Sequence, residues 1–77
     1  MSSDVRKLLA STPFRPFTIH LADGGQVRVP TADHVLVFPQ GSRLIVTDDD
    51  DGYEVLSPLL ITRLVVDPPQ QEPSAAA

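Results

Sequence analysis

The most concentrated chemical feature of the sequence is the acidic run Asp48–Asp51, which Gly52 follows directly. Clustered carboxylates are the ligands that Ca²⁺ prefers, but an EF-hand loop needs glycine at its sixth position and glutamate at its twelfth. Placing Gly52 sixth puts Thr47 first and Pro58 twelfth, so two ligands are missing. We therefore expect no metal site here and interpret the run as an exposed turn that keeps the protein soluble.

The two histidines, His20 and His34, are the next candidates, because imidazole can ligate a metal or act as a general base. Neither has a second ligand at zinc spacing, and the chain contains no cysteine. A triad of Ser42, His34 and Asp33 can be written on paper, but it lacks a nucleophile elbow and an oxyanion motif. We predict no catalytic residue, no metal ligand and no cofactor, and expect a protein that is not an enzyme.

Phosphate and nucleic acid are poorly matched by the charges. The net charge is −4, whereas nucleic-acid binding needs clustered Lys and Arg. Gly24-Gly25 precedes a strand and not a helix, so it does not form a phosphate-binding loop. Arg6, Lys7 and Arg15 could gather near an N-terminal helix, but a cluster of this size is more often a solvated surface. Nucleic acid is therefore not the expected partner.

The charges are also divided unevenly along the chain. Residues 1–46 hold five of the six Lys and Arg residues, while residues 47–77 hold seven of the ten Asp and Glu residues. The simpler interpretation is a solvated acidic loop and tail. The alternative is a bipolar molecule that docks head to tail with a copy of itself or with a partner.

Length and composition limit the elements that could position any site. A chain of 77 residues allows one domain near the lower limit of independent stability. Domains this small are commonly stabilised by disulfides, metals or self-association, and without cysteine the first is excluded. The absence of cysteine also fits a reducing cytoplasm. No stretch approaches the ~20 apolar residues of a membrane span, and the first residues are not expected to act as a signal peptide. We predict a cytoplasmic protein without membrane contact.

A short helix is predicted over roughly residues 4–11, with Ser3 as its N-cap. Val5, Leu8 and Leu9 fall on one face, and Pro13 ends the run. A helix this short is unstable alone in water, so it must lie on an apolar surface.

Residues 17–29 give the clearest strand signal, because both arms around Asp23-Gly24-Gly25 alternate between apolar and polar residues. A three-residue loop keeps the apolar residues on one face, whereas a two-residue turn mixes the faces. The predicted pairs are Leu21–Val27, Ile19–Val29 and His20–Arg28. Gly25 is predicted to take the left-handed position of a bulged type I turn.

Segments 35–38 and 44–46 are apolar at every position, so both of their faces need cover. A barrel interior would cover one face, and the helix or a second subunit would cover the other. A strand over 53–56 is predicted to follow, with a loop at 49–52 and the pairs Val46–Val55 and Thr47–Glu54. A last strand lies within 59–66.

Five short strands behind one helix predict a mainly β fold, in which a small, bent antiparallel sheet or barrel of the Sm-like or Src-homology-3-like type forms. The domain is predicted to span residues 1–67. Residues 68–77 are rich in Pro, Gln and Ala and are predicted to be a disordered tail.

The segment 13–24, Pro-Phe-Arg-Pro-Phe-Thr-Ile-His-Leu-Ala-Asp-Gly, resembles a PFxPFxIHLxDG stretch in a group of short, uncharacterised bacterial proteins. That resemblance covers about residues 4–66 and implies no activity. Segment 19–24 is also similar, more loosely, to the first motif of the Sm-like barrels, which implies a barrel topology. The Arg-Gly-Asn type of segment that holds RNA bases in that family has no counterpart near residues 62–64.

These observations together predict a non-enzymatic protein-interaction or self-assembly module in a small bacterial protein. The expected partner is a second copy of the chain or another protein. An Sm-like RNA-binding protein is the alternative, and it predicts a ring that binds single strands in a salt-dependent way.

Overall fold

The computed structural model describes residues 2–68. Within them lie one α-helix and six β-strands: α1 (Ser2–Leu9), β1 (Phe17–Leu21), β2 (Gln26–Val29), β3 (Val35–Val37), β4 (Leu44–Thr47), β5 (Tyr53–Leu56) and β6 (Ile61–Val66). Short 3-10 turns precede β3 and β6, at Ala32–His34 and Pro58–Leu60. Most of the tail predicted over 68–77 lies outside the described residues.

The helix begins two residues earlier than predicted, so Ser3 lies inside it and is not its N-cap. Tertiary contacts account for the early start. The Ser2 hydroxyl donates to the carbonyl of Gly41 (3.1 Å), and the Arg6 guanidinium donates to the carbonyls of Phe38 and Pro39 (2.6 and 2.8 Å). The helix is thereby fixed on the loop between β3 and β4.

The strands form two antiparallel three-stranded sheets, ordered β2-β1-β6 (sheet I) and β3-β4-β5 (sheet II). A mainly β fold with one N-terminal helix is thus confirmed. The predicted count of five strands is wrong, because residues 2–68 contain six: the two arms of 17–29 and one strand in each of the segments 35–38, 44–46, 53–56 and 59–66. Among residues 2–68 the two sheets are not joined by strand pairing into a closed barrel.

The core lies between the inner faces of the two sheets, and the helix contributes Val5 to it. Its buried side chains are Val5, Phe17, Ile19, Val29, Leu44, Val46, Leu56 and Ile61. Fully burying an aliphatic or aromatic side chain contributes about 1.5–3 kcal/mol, so each of these residues is a large part of a small domain's stability. None of the buried side chains among residues 2–68 is polar or charged.

The register of the first hairpin differs from the prediction by two residues. The observed pairs are Phe17–Val29, Thr18–Arg28, Ile19–Val27 and His20–Gln26. Gly24 occupies the left-handed position (φ +89°), and not Gly25 as predicted. Alternation fixes only which face each residue takes, and a two-residue shift keeps the faces unchanged. The turn is set instead by Asp23, whose Oδ1 accepts a hydrogen bond from the Gly25 N–H (2.8 Å).

The register between β4 and β5 differs by one residue, which reverses a face. Val55 pairs with Ile45 and not with Val46, and Val46 pairs with Glu54. The cause is Asp48, whose Oδ1 accepts hydrogen bonds from the N–H groups of Asp50 (2.9 Å) and Gly52 (2.8 Å). These bonds shorten the loop to residues 49–51 and turn Val55 away from the core.

The same loop forces Asp51 into the left-handed region (φ +65°), where an L-residue is strained and glycine is not. We expect Asp51→Gly to raise the free energy of unfolding by about 0.5 kcal/mol, after the extra entropy that glycine gives the unfolded chain. Asp50→Gly removes the same charge from the same loop, at a position whose φ is not positive, and serves as the control. Chemical denaturation at one fixed protein concentration measures both, and an equal or larger gain for Asp50→Gly would contradict the argument.

Candidate functional site

The outer faces of the two sheets differ in chemistry. The outer face of sheet I is mostly polar, and its members are Thr18, His20, Gln26, Arg28, Arg63 and Val65. Such alternation is the rule for a sheet with one core face and one solvated face. Sheet II instead carries apolar side chains outward. Its outer face is the candidate site.

Three apolar residues form a row across this outer face. Leu36 lies directly opposite Ile45 on β4, and Ile45 lies opposite Val55 on β5. Neighbouring strands are spaced ~4.8 Å apart, so the three side chains are neighbours on one continuous surface. Leu36 is 59% exposed and Val55 is 53% exposed, while Ile45 between them is half-buried. We call Leu36, Ile45 and Val55 the apolar row.

Strand periodicity explains how the sequence builds the row. In β3, Val35 and Val37 face the core, so Leu36 between them faces outward. In β4, Leu44 and Val46 are buried and send Ile45 outward in the same way. The prediction that these segments are apolar on both faces is correct. The helix does not cover the second face, because Leu36 and Val55 remain more than half exposed.

The two ends of this face carry opposite charges. At the first end, the carbonyl of Arg43 accepts a hydrogen bond from the Phe38 N–H (3.1 Å), which extends the β3–β4 ladder by one pair. Alternation then places Arg43 on the same face as Ile45, and Arg43 is exposed. At the other end, β4 and β5 are joined by the acidic loop Asp48–Asp51. Tyr53, which is 68% exposed, lies beside that loop.

His34 connects the start of β3 to the acidic loop. Its Nε2 lies 3.0 Å from Oδ1 of Asp49, and its Nδ1 lies 2.7 Å from Oγ1 of Thr31. A carboxylate only accepts hydrogen bonds, so Nε2 carries a proton, and in the neutral imidazole Nδ1 then accepts from the Thr31 hydroxyl. The arrangement ties two loops together. It was missed because His34 and Asp49 are 15 residues apart, although Thr31, the N-cap of the turn that carries His34, is a local signal.

The triad of Ser42, His34 and Asp33 is not assembled. Ser42 lies at the loop end of the β3–β4 hairpin, whereas His34 lies at its other end. Asp33 contributes its backbone N–H to the Thr31 hydroxyl (3.3 Å) and does not orient the imidazole. His20 lies on the outer face of sheet I opposite Gln26 and Arg63, so its predicted pairing with Arg28 is wrong.

The acidic run does not converge on a cation position. Within residues 2–68, no group of three or more His, Cys, Asp or Glu side chains is arranged to hold a metal ion. The Asp48 carboxylate binds the N–H groups of its own loop, and Asp49 binds His34.

The one α-helix of the described chain is far shorter than a membrane crossing requires.

The three basic residues that could gather near the helix, Arg6, Lys7 and Arg15, lie in separate surroundings. Arg6 binds carbonyls of the β3–β4 loop, as described above. Arg15 donates to the carbonyl of Asp67 from Nε and Nη2 (3.1 and 2.7 Å), at the far end of β6. Lys7 lies with Leu8 along an open groove of about 410 Å³ between the helix and β6. These residues therefore do not form one cationic surface.

Asp67 also forms an ion pair with Arg28, with Nη2 and Oδ2 2.5 Å apart. The hydrogen bond from the Arg28 guanidinium lowers the pKa of Asp67 below its ordinary value and raises the pKa of Arg28. Together with Arg15, the pair holds the end of β6 against β1 and β2. This contact spans 39 residues and carries no local sequence signal.

Comparison with known proteins finds no match to a family model, to a curated protein or to a solved structure. The two resemblances described from the sequence therefore stay predictions.

The ion pair predicts an acid dependence of stability. Since the pKa of Asp67 is lower in the folded protein than in the unfolded chain, its carboxylate stabilises the fold above the ordinary carboxyl pKa of about 3.9. That contribution disappears as the pH falls through the folded-state pKa. We expect Asp67→Asn to lower the melting temperature at pH 7 and to lower it less near pH 2. Asp50→Asn is the control, and a wild-type advantage over Asp67→Asn that is the same at both pH values would contradict this.

Proposed function

We propose that the protein is a non-enzymatic protein-interaction module that self-associates through the outer face of sheet II. The observation that supports this is the difference between the two outer faces of one small molecule. Sheet I presents polar side chains to solvent, while sheet II presents the apolar row and Tyr53. Exposed apolar patches with a polar rim are typical of protein–protein interfaces.

The size of the face sets the expected strength of binding. Three strands spaced ~4.8 Å apart, each about four residues long, present roughly 200 Å² of sheet. A standard interface buries about 800 Å² per partner, so the sheet alone gives weak association. Flanking groups must add contact area. Tyr53 at the acidic end and Leu59, which is 94% exposed at the Arg43 end, supply further apolar surface.

The Sm-like alternative remains a proposal with less support. A helix followed by short antiparallel strands favours an Sm-like or Src-homology-3-like topology. Single-strand binding, however, combines exposed aromatic rings with a cationic groove. Tyr53, the one exposed aromatic side chain of residues 2–68, lies beside the acidic loop, which repels phosphate. Arg6, Arg15 and Arg28 are bound to acceptors within the chain.

A matched pair of variants tests the proposed face. Val55→Lys places a charge in the apolar row, whereas Val65→Lys makes the same change on the outer face of sheet I, where Val65 is 44% exposed. We expect the wild type and Val65→Lys to gain mass reversibly with concentration in sedimentation equilibrium. Val55→Lys should associate at least tenfold more weakly, because the ammonium must lose its water in the contact.

Circular dichroism establishes that both variants are folded. A wild type that stays monomeric from about 10 µM to about 1 mM would refute self-association. Equal weakening by Val55→Lys and Val65→Lys would refute the assignment of the face.

A further inference from the structure

We propose that the partner on this face is a second copy of the chain, stacked face to face with its strands antiparallel to those of the first. In that arrangement the Arg43 end of each copy lies on the acidic loop of the other. The inference rests on the proposed self-association, and it adds the orientation of the second copy.

Symmetry leaves two simple ways to stack the same face on itself. In a two-fold dimer the interface is self-complementary, and for face-to-face sheets the axis lies in the plane between them. An axis along the strands keeps the strands parallel and puts Arg43 beside Arg43 of the other copy. An axis across the strands, along the apolar row, reverses them and puts Arg43 opposite Thr47. Both stack the apolar row on itself.

Charge decides between the two orientations. The parallel orientation places the acidic loops of both copies together and the two Arg43 side chains together, which is repulsive at both ends. The antiparallel orientation brings each cation to the carboxylates of the other copy. Opposite potentials across an interface fix its orientation in this way. The bipolar distribution along the chain thus becomes complementary in a symmetric dimer.

The antiparallel orientation also gives Tyr53 a role. Tyr53 lies opposite Thr47 in the β4–β5 ladder, next to the position that Arg43 of the second copy would reach. An arginine over a tyrosine ring is attracted to its face, most strongly where water is excluded. This contact covers a ring that is 68% exposed in the single chain.

Among the loop carboxylates, Asp50 is the one whose charge can be reversed without disturbing the loop. Asp48 binds the N–H groups of its own loop, Asp49 binds His34, and Asp51 has a positive φ that Lys adopts less readily than Asp. Asp50 is exposed, and only its backbone N–H takes part in the loop. A charge reversal at position 50 therefore leaves the turn intact.

Charge reversal at both ends provides the test. We expect Arg43→Asp and Asp50→Lys each to weaken dimerisation on the order of tenfold, since each turns two symmetric attractions into repulsions. The double variant R43D/D50K places an aspartate at position 43 opposite a lysine at position 50 at both contacts. It should dimerise more tightly than Arg43→Asp alone, while the three remaining loop aspartates keep it weaker than the wild type. In the parallel orientation the single variants would not weaken the dimer, so the double variant would have no lost affinity to recover.

The matched control is Arg63→Asp, which makes the same charge change on the outer face of sheet I and should leave dimerisation unchanged. Sedimentation equilibrium of the full chain at about 20 mM and about 500 mM salt measures all variants, and the wild-type dimer should weaken at the higher salt. If the wild type dimerises and Val55→Lys does not, but R43D/D50K dimerises no more tightly than Arg43→Asp alone, the antiparallel orientation is wrong and the proposed face stands. If the wild type does not dimerise at all, both fail.

Discussion

Two three-stranded sheets have four faces, and within residues 2–68 only the two inner faces are covered by other parts of the chain. The inner faces close on a core of eight buried side chains, with Val5 of the helix completing it. The helix is held at the β3–β4 loop by Ser2 and Arg6 and is therefore not free to lie over an outer face. Sheet I meets water with polar residues. Sheet II meets it with the apolar row, and the proposed self-association follows from that single imbalance.

Two aspartates in turns decide which residues reach that surface. Asp23 sets the β1–β2 turn and Asp48 sets the β4–β5 turn, each by accepting backbone N–H bonds within its own loop. The bonds to Asp48 shift the β4–β5 register so that Val55 joins Leu36 and Ile45 on the outside. A polar turn outside the apolar row therefore determines that Val55 belongs to the row. The same loop supplies the negative charge at one end of the face.

Several features could be predicted because they depend on short-range patterns. The helix at the N-terminus, the mainly β fold and the apolar character of both faces of β3 and β4 follow from the spacing of apolar residues. The face of each residue in the first hairpin was also predictable, since alternation fixes it. The two-residue shift was not, because both registers satisfy the same alternation and only the Asp23 hydrogen bond separates them.

Other features depend on groups that the pattern of apolar residues does not describe. The β4–β5 register was predicted by matching Val46 with Val55, and the capping bonds of Asp48 outweigh that match. Two contacts join residues that are far apart in the sequence: His34 with Asp49, 15 positions apart, and Arg28 with Asp67, 39 positions apart. No short-range pattern predicts them. The sequence predicted an outer apolar face that needs cover. It did not place Arg43 at one end of that face, because this position follows from the observed β3–β4 ladder.

The most direct measurement of the central claim is methyl NMR of the wild-type chain during dilution, with isoleucine, leucine and valine methyl groups labelled. Binding through sheet II predicts concentration-dependent shifts at Leu36, Ile45 and Val55, while Val65 on the outer face of sheet I and Val5 in the core stay unchanged. Spectra that do not change with concentration, or changes centred on Val65, would contradict the account.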